Sequence, residues 1–296
     1  MSLSAPVIAF IGLGQMGLPM VGNLLRAGHK VQAFDLNPHA ADTLQSDPLF
    51  SRADSAAATL SQADIVILML PDSKVVDGLL WNGAPSLADV LMPSQILIDM
   101  GSSDPVRSRE NFNKLAAKGI AFVDAPVSGG VKRAVDGSLS IMIGGETSAV
   151  DTVRTVLQAM GKNLVHLGAA GAGHAVKALN NYVSASGLLA VSEALAAAEQ
   201  FGIDPHLVNQ VFNTSTGRNN TTDVKVENFM LSGSFNSGFA LALMRKDLQT
   251  ALGFIERMGT PDHQAAACTR TWVDAESALK PGADHTEMYK FIRHAS

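Results

Sequence analysis

Lys177 and Asn181 stand four residues apart within Ala175-Val176-Lys177-Ala178-Leu179-Asn180-Asn181, so on a helix they share a face. The neighbours Ala175, Val176, Ala178 and Leu179 are apolar. Half-burial in such company generally lowers an ammonium pKa towards neutrality, which suits a general acid/base. A lysine on a helix is more often simply solvated, and the residues alone leave that account open. Asn180 and Asn181, in an otherwise apolar run, need polar partners. Ser128-Gly129-Gly130 offers a hydroxyl and unhindered amides, a set that suits a carboxylate. An ordinary glycine turn accounts for it equally well. Lys246 and Asp247 are adjacent and point differently; Lys246 has the reach for a pocket, while a surface charge pair is the simpler expectation. Arg218 lies in the polar stretch 216–222, which either touches a ligand or caps the helix that follows through Thr221, Thr222 or Asp223.

A cofactor for such proton chemistry is legible near the N-terminus. The apolar run Val7-Ile8-Ala9-Phe10-Ile11 breaks into Gly12-Leu13-Gly14-Gln15-Met16-Gly17 and continues with helical spacing. In this pattern Gly12 permits a tight turn, Gly14 admits a pyrophosphate close to the backbone, and Gly17 lets helix pack on strand. The helix start then presents free N–H groups to two phosphates. A second strand, 30–34, ends on Asp35, where a dinucleotide fold places the carboxylate that accepts from the adenosine ribose hydroxyls. That carboxylate repels a 2′-phosphate, and no Arg or Lys follows in Leu36-Asn37-Pro38-His39. NAD is therefore favoured, NADP stays open, and His39 is a weak counter-argument because a protonated imidazole can meet a phosphate.

The elements that must position these groups follow an alternating pattern. Strands are expected at Ile65–Leu70, Ile96–Met100, Ala121–Ala125, Ser140–Gly145 and Asn163–Leu167. Helices are expected near 38–44, 105–118 and 150–160. Repeated βα units predict a doubly wound, mostly parallel Rossmann-type sheet over residues 1–167, a cofactor domain. In such a sheet Leu70-Pro71, Gly101-Ser102-Ser103 and the 125–130 segment all follow carboxyl ends of strands and face the cofactor side. After Gly168–Gly173 the pattern becomes all-helical. A long interdomain helix runs from about His174 to Phe201, and helices follow at 204–213, 225–231, 243–258, 261–278 and 287–293. Residues 168–296 thus form an all-helical substrate and oligomerisation domain.

Composition bounds the rest. The 296 residues suffice for two domains, and 47% hydrophobic with 17% charged residues excludes disorder. The net charge of −5 advertises neither nucleic acid nor anionic membrane as a partner. One cysteine, Cys268, excludes an internal disulfide, reads as a buried structural thiol, and fits a cytoplasmic setting. No signal peptide or membrane span is apparent, and the eight histidines lack metal-ligand spacing.

Four motifs in order resemble the β-hydroxyacid dehydrogenase family: Gly12–Met20, Asp124–Gly130, Gly171-Ala172-Gly173 with Lys177 and Asn180-Asn181, and Lys246-Asp247-Leu248. The resemblance implies Lys177 as catalytic lysine, Ser128, Gly129 and Gly130 as the substrate-carboxylate loop, and Asn181 as the residue that orients the substrate. It implies cofactor contacts at Gly12, Leu13, Gly14, Gln15, Met16, Gly17, Asp35, Leu70, Pro71, Ser102, Phe239 and Lys246, with Lys246 near the nicotinamide. The family commonly has Ser-Thr where this chain has Gly101-Ser102, so a hydroxyl is kept and a methyl is not. The implied activity is hydride transfer between NAD and a small 3-hydroxy acid of the 3-hydroxyisobutyrate type, without metal, by a homodimer or homotetramer. A reductase of small aldehyde acids of the tartronate, succinate or glyoxylate semialdehyde type shares the same core chemistry. An imine reductase is disfavoured by Lys177, and a non-catalytic dinucleotide-binding protein by Lys177, Asn181 and Lys246 together.

Overall fold

The structure, a computed structural model, describes residues 5–294. The chain divides into two compact units, Met1–Lys177 and Ala178–Ser296. In the first unit, strands β1 (Ile8–Ile11), β2 (Val31–Phe34), β3 (Phe50–Arg52), β4 (Ile65–Leu68), β5 (Ile96–Asp99) and β6 (Ala121–Asp124) form a parallel sheet in the order β3-β2-β1-β4-β5-β6. This is the doubly wound order in which strand sequence reverses beside β1, opening a crevice at the carboxyl ends. The register aligns Ile11 with Phe34 and with Leu68, Leu68 with Asp99, and Asp99 with Asp124. Five strands therefore end along one edge, and the loops that leave them emerge side by side.

Side-chain alternation explains why these segments are strands. Ile8 and Phe10 pack into one apolar cluster with Met20, Leu24, Val150 and Val153, while Ala9 and Ile11 pack into another with Val66, Leu80 and Leu115. Successive side chains point to opposite faces, and both faces are covered by helices, so the strands read as continuous apolar runs. Each fully buried Leu or Ile contributes roughly 1.5–3 kcal/mol from burial. The covering helices include α1 (Gly17–Arg26), α2 (Ser73–Trp81), α3 (Leu87–Val90), α4 (Pro105–Ala116), α5 (Gly130–Asp136) and α6 (Thr147–Met160).

One expectation about this unit needs correction, and two features add to it. The segment 38–44 is not a helix; it holds one short 3-10 turn, Asp42–Leu44. Asp35 and Asn37 take backbone amides of Asn37 and His39 at 2.7 and 3.0 Å, local bonds that compete with helix winding. The sheet is mostly parallel, as expected, and its antiparallel part is confined to one side: β8 (Leu139–Gly145) runs antiparallel to β6 and to the short β7 (Val127–Ser128), and β9 (Gly161–Gly168) runs parallel to β8. Finally, α2 was not expected from the sequence, although Asp72 caps it by accepting from Val75 N at 3.0 Å.

Helix α7 (Ala172–Phe201) is unbroken over 30 residues. The second unit continues with α8 (Pro205–Thr214), a π-helix at Thr221–Leu231, α9 (Leu241–Arg257), α10 (His263–Ala278), a 3-10 turn at His285–Glu287 and α11 (Met288–His294). Trp272, Met288 and Leu248 centre one apolar cluster, and Leu195, Val226 and Tyr289 another. Cys268 is buried in the first, and burial pushes its thiol pKa up. No helix among the described residues is long and apolar enough to cross a membrane.

Candidate active site

In the first unit the glycine motif forms the turn between β1 and α1. Gly12 has φ +100°, and a Cβ there would lie 2.3 Å from Met69 O. A Cβ at Gly17 would lie 2.0 Å from Gly12 O. Both positions thus require the missing side chain for packing within the protein. Gly14 differs: a Cβ there meets no protein atom within 4 Å. Its open side is the cradle a dinucleotide backbone needs, and no side chain caps the start of α1. Asp35 Oδ2 accepts from Leu13 N at 2.6 Å, which ties the end of β2 to the glycine turn. The residues present fit a dinucleotide.

The neighbouring loops close on the same edge. Leu70 and Pro71 follow β4, and Ser102 follows β5. A Cβ at Gly101 would lie 2.5 Å from Leu70 O, so this backbone requires glycine there. Ser128 ends β7 and is half-buried, while Gly129 and Gly130 are exposed with φ of +134° and +68°. The segment is thus strand and helix start, rather than a plain loop. Lys177, half-buried, lies in the second turn of α7. The start of that helix is bonded to the sheet edge: Gly171 N and His174 N donate to Asp124 at 2.7 and 2.9 Å.

In the second unit Asn181 is buried and donates through Nδ2 to Asp247 Oδ2 at 2.5 Å. Its own oxygen accepts from Asn180 Nδ2 at 3.2 Å. Lys246 Nζ lies 3.2 Å from Asp247 Oδ1, with side-chain exposures of 23% and 4%. The surface charge pair expected from adjacency is therefore wrong; Asp247 is a buried acceptor that ties Asn181 to Lys246. Phe239 is half-buried and packs edge-on against His285 at 5.6 Å between ring centroids. The loop that carries it is held by Asp284, which accepts from Ser237 Oγ at 2.8 Å and Gly238 N at 2.9 Å. Burial pushes the Asp284 pKa up, but bonds from His285, Thr286 and Ser237 outweigh it and hold the carboxyl well below its usual range.

Two charged residues escaped the sequence reading. Arg52 ends β3 opposite Ala33 of β2, and its Nη1 donates to Pro38 O at 2.5 Å. A guanidinium therefore stands at the loop after Asp35, brought there by strand pairing and invisible in the linear stretch 36–39. Lys225, on the π-helix, is 8% exposed and donates to Ser184 Oγ at 3.3 Å. Burial lowers its pKa to about 8. Arg218 is exposed and pairs with Asp223 at 3.0 Å, while Asn219 Oδ1 caps Thr221 N at 2.8 Å. The stretch 216–222 thus caps the start of the π-helix reciprocally: Thr222 Oγ1, one of the expected residues, accepts from Asn219 N at 2.9 Å, and the Asn219 side chain is the partner that the sequence reading passed over.

Residues 7–168 match the model for the NAD binding domain of 6-phosphogluconate dehydrogenase. Residues 171–292 match the model for the NAD-binding of NADP-dependent 3-hydroxyisobutyrate dehydrogenase. The chain is 38% identical to 3-hydroxyisobutyrate dehydrogenase of Pseudomonas aeruginosa, over 83% of this chain and 84% of the relative. It is 37% identical to 2-(hydroxymethyl)glutarate dehydrogenase of Eubacterium barkeri, over 83% and 81%. Among solved structures, Mycobacterium tuberculosis 3-hydroxyisobutyrate dehydrogenase with L-serine superposes with a TM-score of 0.89 at 32% identity, covering 98% of this chain and 99% of that one.

Proposed function

The chain belongs to the β-hydroxyacid dehydrogenase family, and from that premise we propose that it moves hydride between NAD and a small 3-hydroxy acid of the 3-hydroxyisobutyrate type, with Lys177 as general acid/base. As a member it is an NAD(P)-dependent 3-hydroxyacid dehydrogenase. NAD(P), when bound, would supply the acceptor and donor for the hydride of the carbinol carbon. The chain's own residues do the rest. Lys177, as a neutral amine, accepts the hydroxyl proton; as an ammonium it stabilises the developing alkoxide and gives the proton back. Ser128 Oγ and the amides at Gly129 and Gly130 hold the substrate carboxylate. Asn181, fixed by Asp247, orients the substrate hydroxyl-bearing carbon. The glycine turn Gly12–Gly17, Asp35, Leu70, Pro71 and Ser102 hold the dinucleotide, and Phe239 and Lys246 complete the nicotinamide surroundings.

The observation that supports this reading most is the shared edge. The register of β1, β2, β4, β5 and β6 brings the glycine turn, Asp35, Leu70, Ser102 and the segment before Ser128 out side by side, and Asp124 anchors the turn before Lys177 to that edge. NAD is favoured over NADP by Asp35, with Arg52 as the opposing influence. The test is the appearance of reduced nicotinamide with 3-hydroxyisobutyrate, L-serine and 2-(hydroxymethyl)glutarate, each with NAD and with NADP. Turnover highest with NAD and 3-hydroxyisobutyrate is expected. Tight NAD binding with silence across all three acids overturns the reading.

A further inference from the structure

Beneath the shared edge of the first unit lies a polar cluster that the chemistry above does not use. Asp99 ends β5 and Asp124 ends β6, directly paired in register, and they are 1% and 0% exposed. Between them sits His174, whose side chain is fully buried. Its Nε2 lies 3.8 Å from Asp99 Oδ2, and its Nδ1 lies 3.8 Å from Asp124 Oδ2. Nδ1 also lies 2.7 Å from Ser108 Oγ, and Nε2 has no hydrogen-bond partner. Each carboxylate has further donors. Asp99 accepts from Gly101 N at 2.9 Å and Ser103 Oγ at 2.7 Å. Asp124 accepts from Gly171 N and His174 N.

Serine, histidine and aspartate together invite comparison with a hydrolytic triad, but this set is closed to substrate. Ser108 is 2% exposed and its hydroxyl donates to Asp104 O at 3.0 Å. The packing around Asp124 is close: a Cβ added at Gly144 would lie 2.5 Å from Asp124 Oδ1, and one at Gly173 2.9 Å from Asp124 Oδ2. The cluster's outputs are mechanical. Asp99 binds the backbone of the loop that carries Ser102. Asp124 heads the segment that leads to Ser128. His174 lies on α7, one turn before Lys177. Three separate elements are thus registered through one imidazole and two carboxylates.

We propose that His174, seated between Asp99 and Asp124, is a positioning residue for hydride transfer, which fixes the Lys177 turn of α7 against the loops bearing Ser102 and Ser128. This rests on the reading of Lys177 as the acid/base. Removing the imidazole leaves two buried carboxylates side by side without the group between them, so the local geometry must change even if the fold survives. Displacement of a reacting group by about 1 Å costs on the order of a hundredfold in rate.

The test is a cycle of His174→Asn, Lys177→Ala and the double variant in the full chain, with His174→Gln as the conservative arm. Asn keeps a polar atom near the Nδ1 position, whereas Gln reaches towards Asp99. Steady-state kcat and KM, NAD affinity by fluorescence and thermal melting are measured for each. The expected result for His174→Asn is a kcat lower by about 10- to 100-fold with NAD affinity unchanged, partly restored in His174→Gln. The double variant should lose no more than Lys177→Ala alone, because His174 acts through Lys177. Additive losses, wild-type kcat in His174→Asn, or a loss matched by the fraction unfolded overturns the inference while leaving Lys177 in place. Wild-type turnover in Lys177→Ala is a separate failure, that of the acid/base reading itself.

Discussion

The two units hold their candidate site residues by different means. In Met1–Lys177 strand register, glycines that remove a Cβ from a collision, and amides bonded to buried carboxylates do much of the positioning, with the His174 imidazole seated between two of those carboxylates. In Ala178–Ser296 side chains do it: Asn181 to Asp247, Asp247 to Lys246, Ser237 to Asp284 and Lys225 to Ser184. The first unit meets its buried charges with several donors each. The second leaves a buried ammonium with one long hydrogen bond. Glycine positions that close on a carbonyl oxygen are intolerant of added volume, whereas the buried Lys225 ammonium of the second unit responds to proton binding.

The largest effect that sharpens this contrast is expected at the glycine turn. Gly17→Ala puts a Cβ 2.0 Å from a carbonyl oxygen, so the turn itself must break, and thermal melting should show a loss of several kcal/mol. Gly14→Ala meets no protein atom, so the melting temperature without cofactor should hold while NAD affinity falls. Equal destabilisation by the two would break the account of the cradle.

A smaller effect is expected at Lys225, whose pKa burial lowers from 10.5 to about 8. Between those two values the unfolded chain holds the proton that the folded chain has lost, so stability rises with pH across that window. Below about 8 the cost of the buried ammonium is fully present. Lys225→Met should therefore gain on the order of 3 kcal/mol at neutral pH by denaturant unfolding, and the gain should shrink to nothing as pH approaches 10.5. A gain that does not vary with pH would mean that the ammonium is not the source.

The smallest expected effect concerns Arg52. Arg52→Gln should lower kcat/KM for NADP by roughly tenfold, about one charge-assisted hydrogen bond, and leave NAD almost unchanged. Equal changes for both cofactors would assign the guanidinium to loop support through Pro38 alone.

Much of the first unit was legible because its signals are local. Gly12, Gly14 and Gly17 act within one turn, and the continuous apolar run from Ile8 to Ile11 marks a strand buried on both faces. What the sequence hid depends on contacts across the chain. Arg52 meets Pro38 only because β3 pairs with β2, and Asp99, Asp124 and His174 meet only through the register of two strands and the start of α7. Asp247 looked like half of a surface pair because adjacency carries no information on burial. The π-helix at Thr221–Leu231 was read as a shorter ordinary helix, since its wider winding has no distinct apolar period. The second βα unit failed as a helix because Asp35 and Asn37 compete for its amides.

One amine, Lys177, is proposed to carry the proton. Lys177→Ala, assayed with the best acid found and NAD at saturation, with NAD affinity measured in parallel, tests it most directly. The account predicts a fall in kcat of about a thousandfold or more with NAD affinity unchanged. Near-normal kcat in that variant would contradict it.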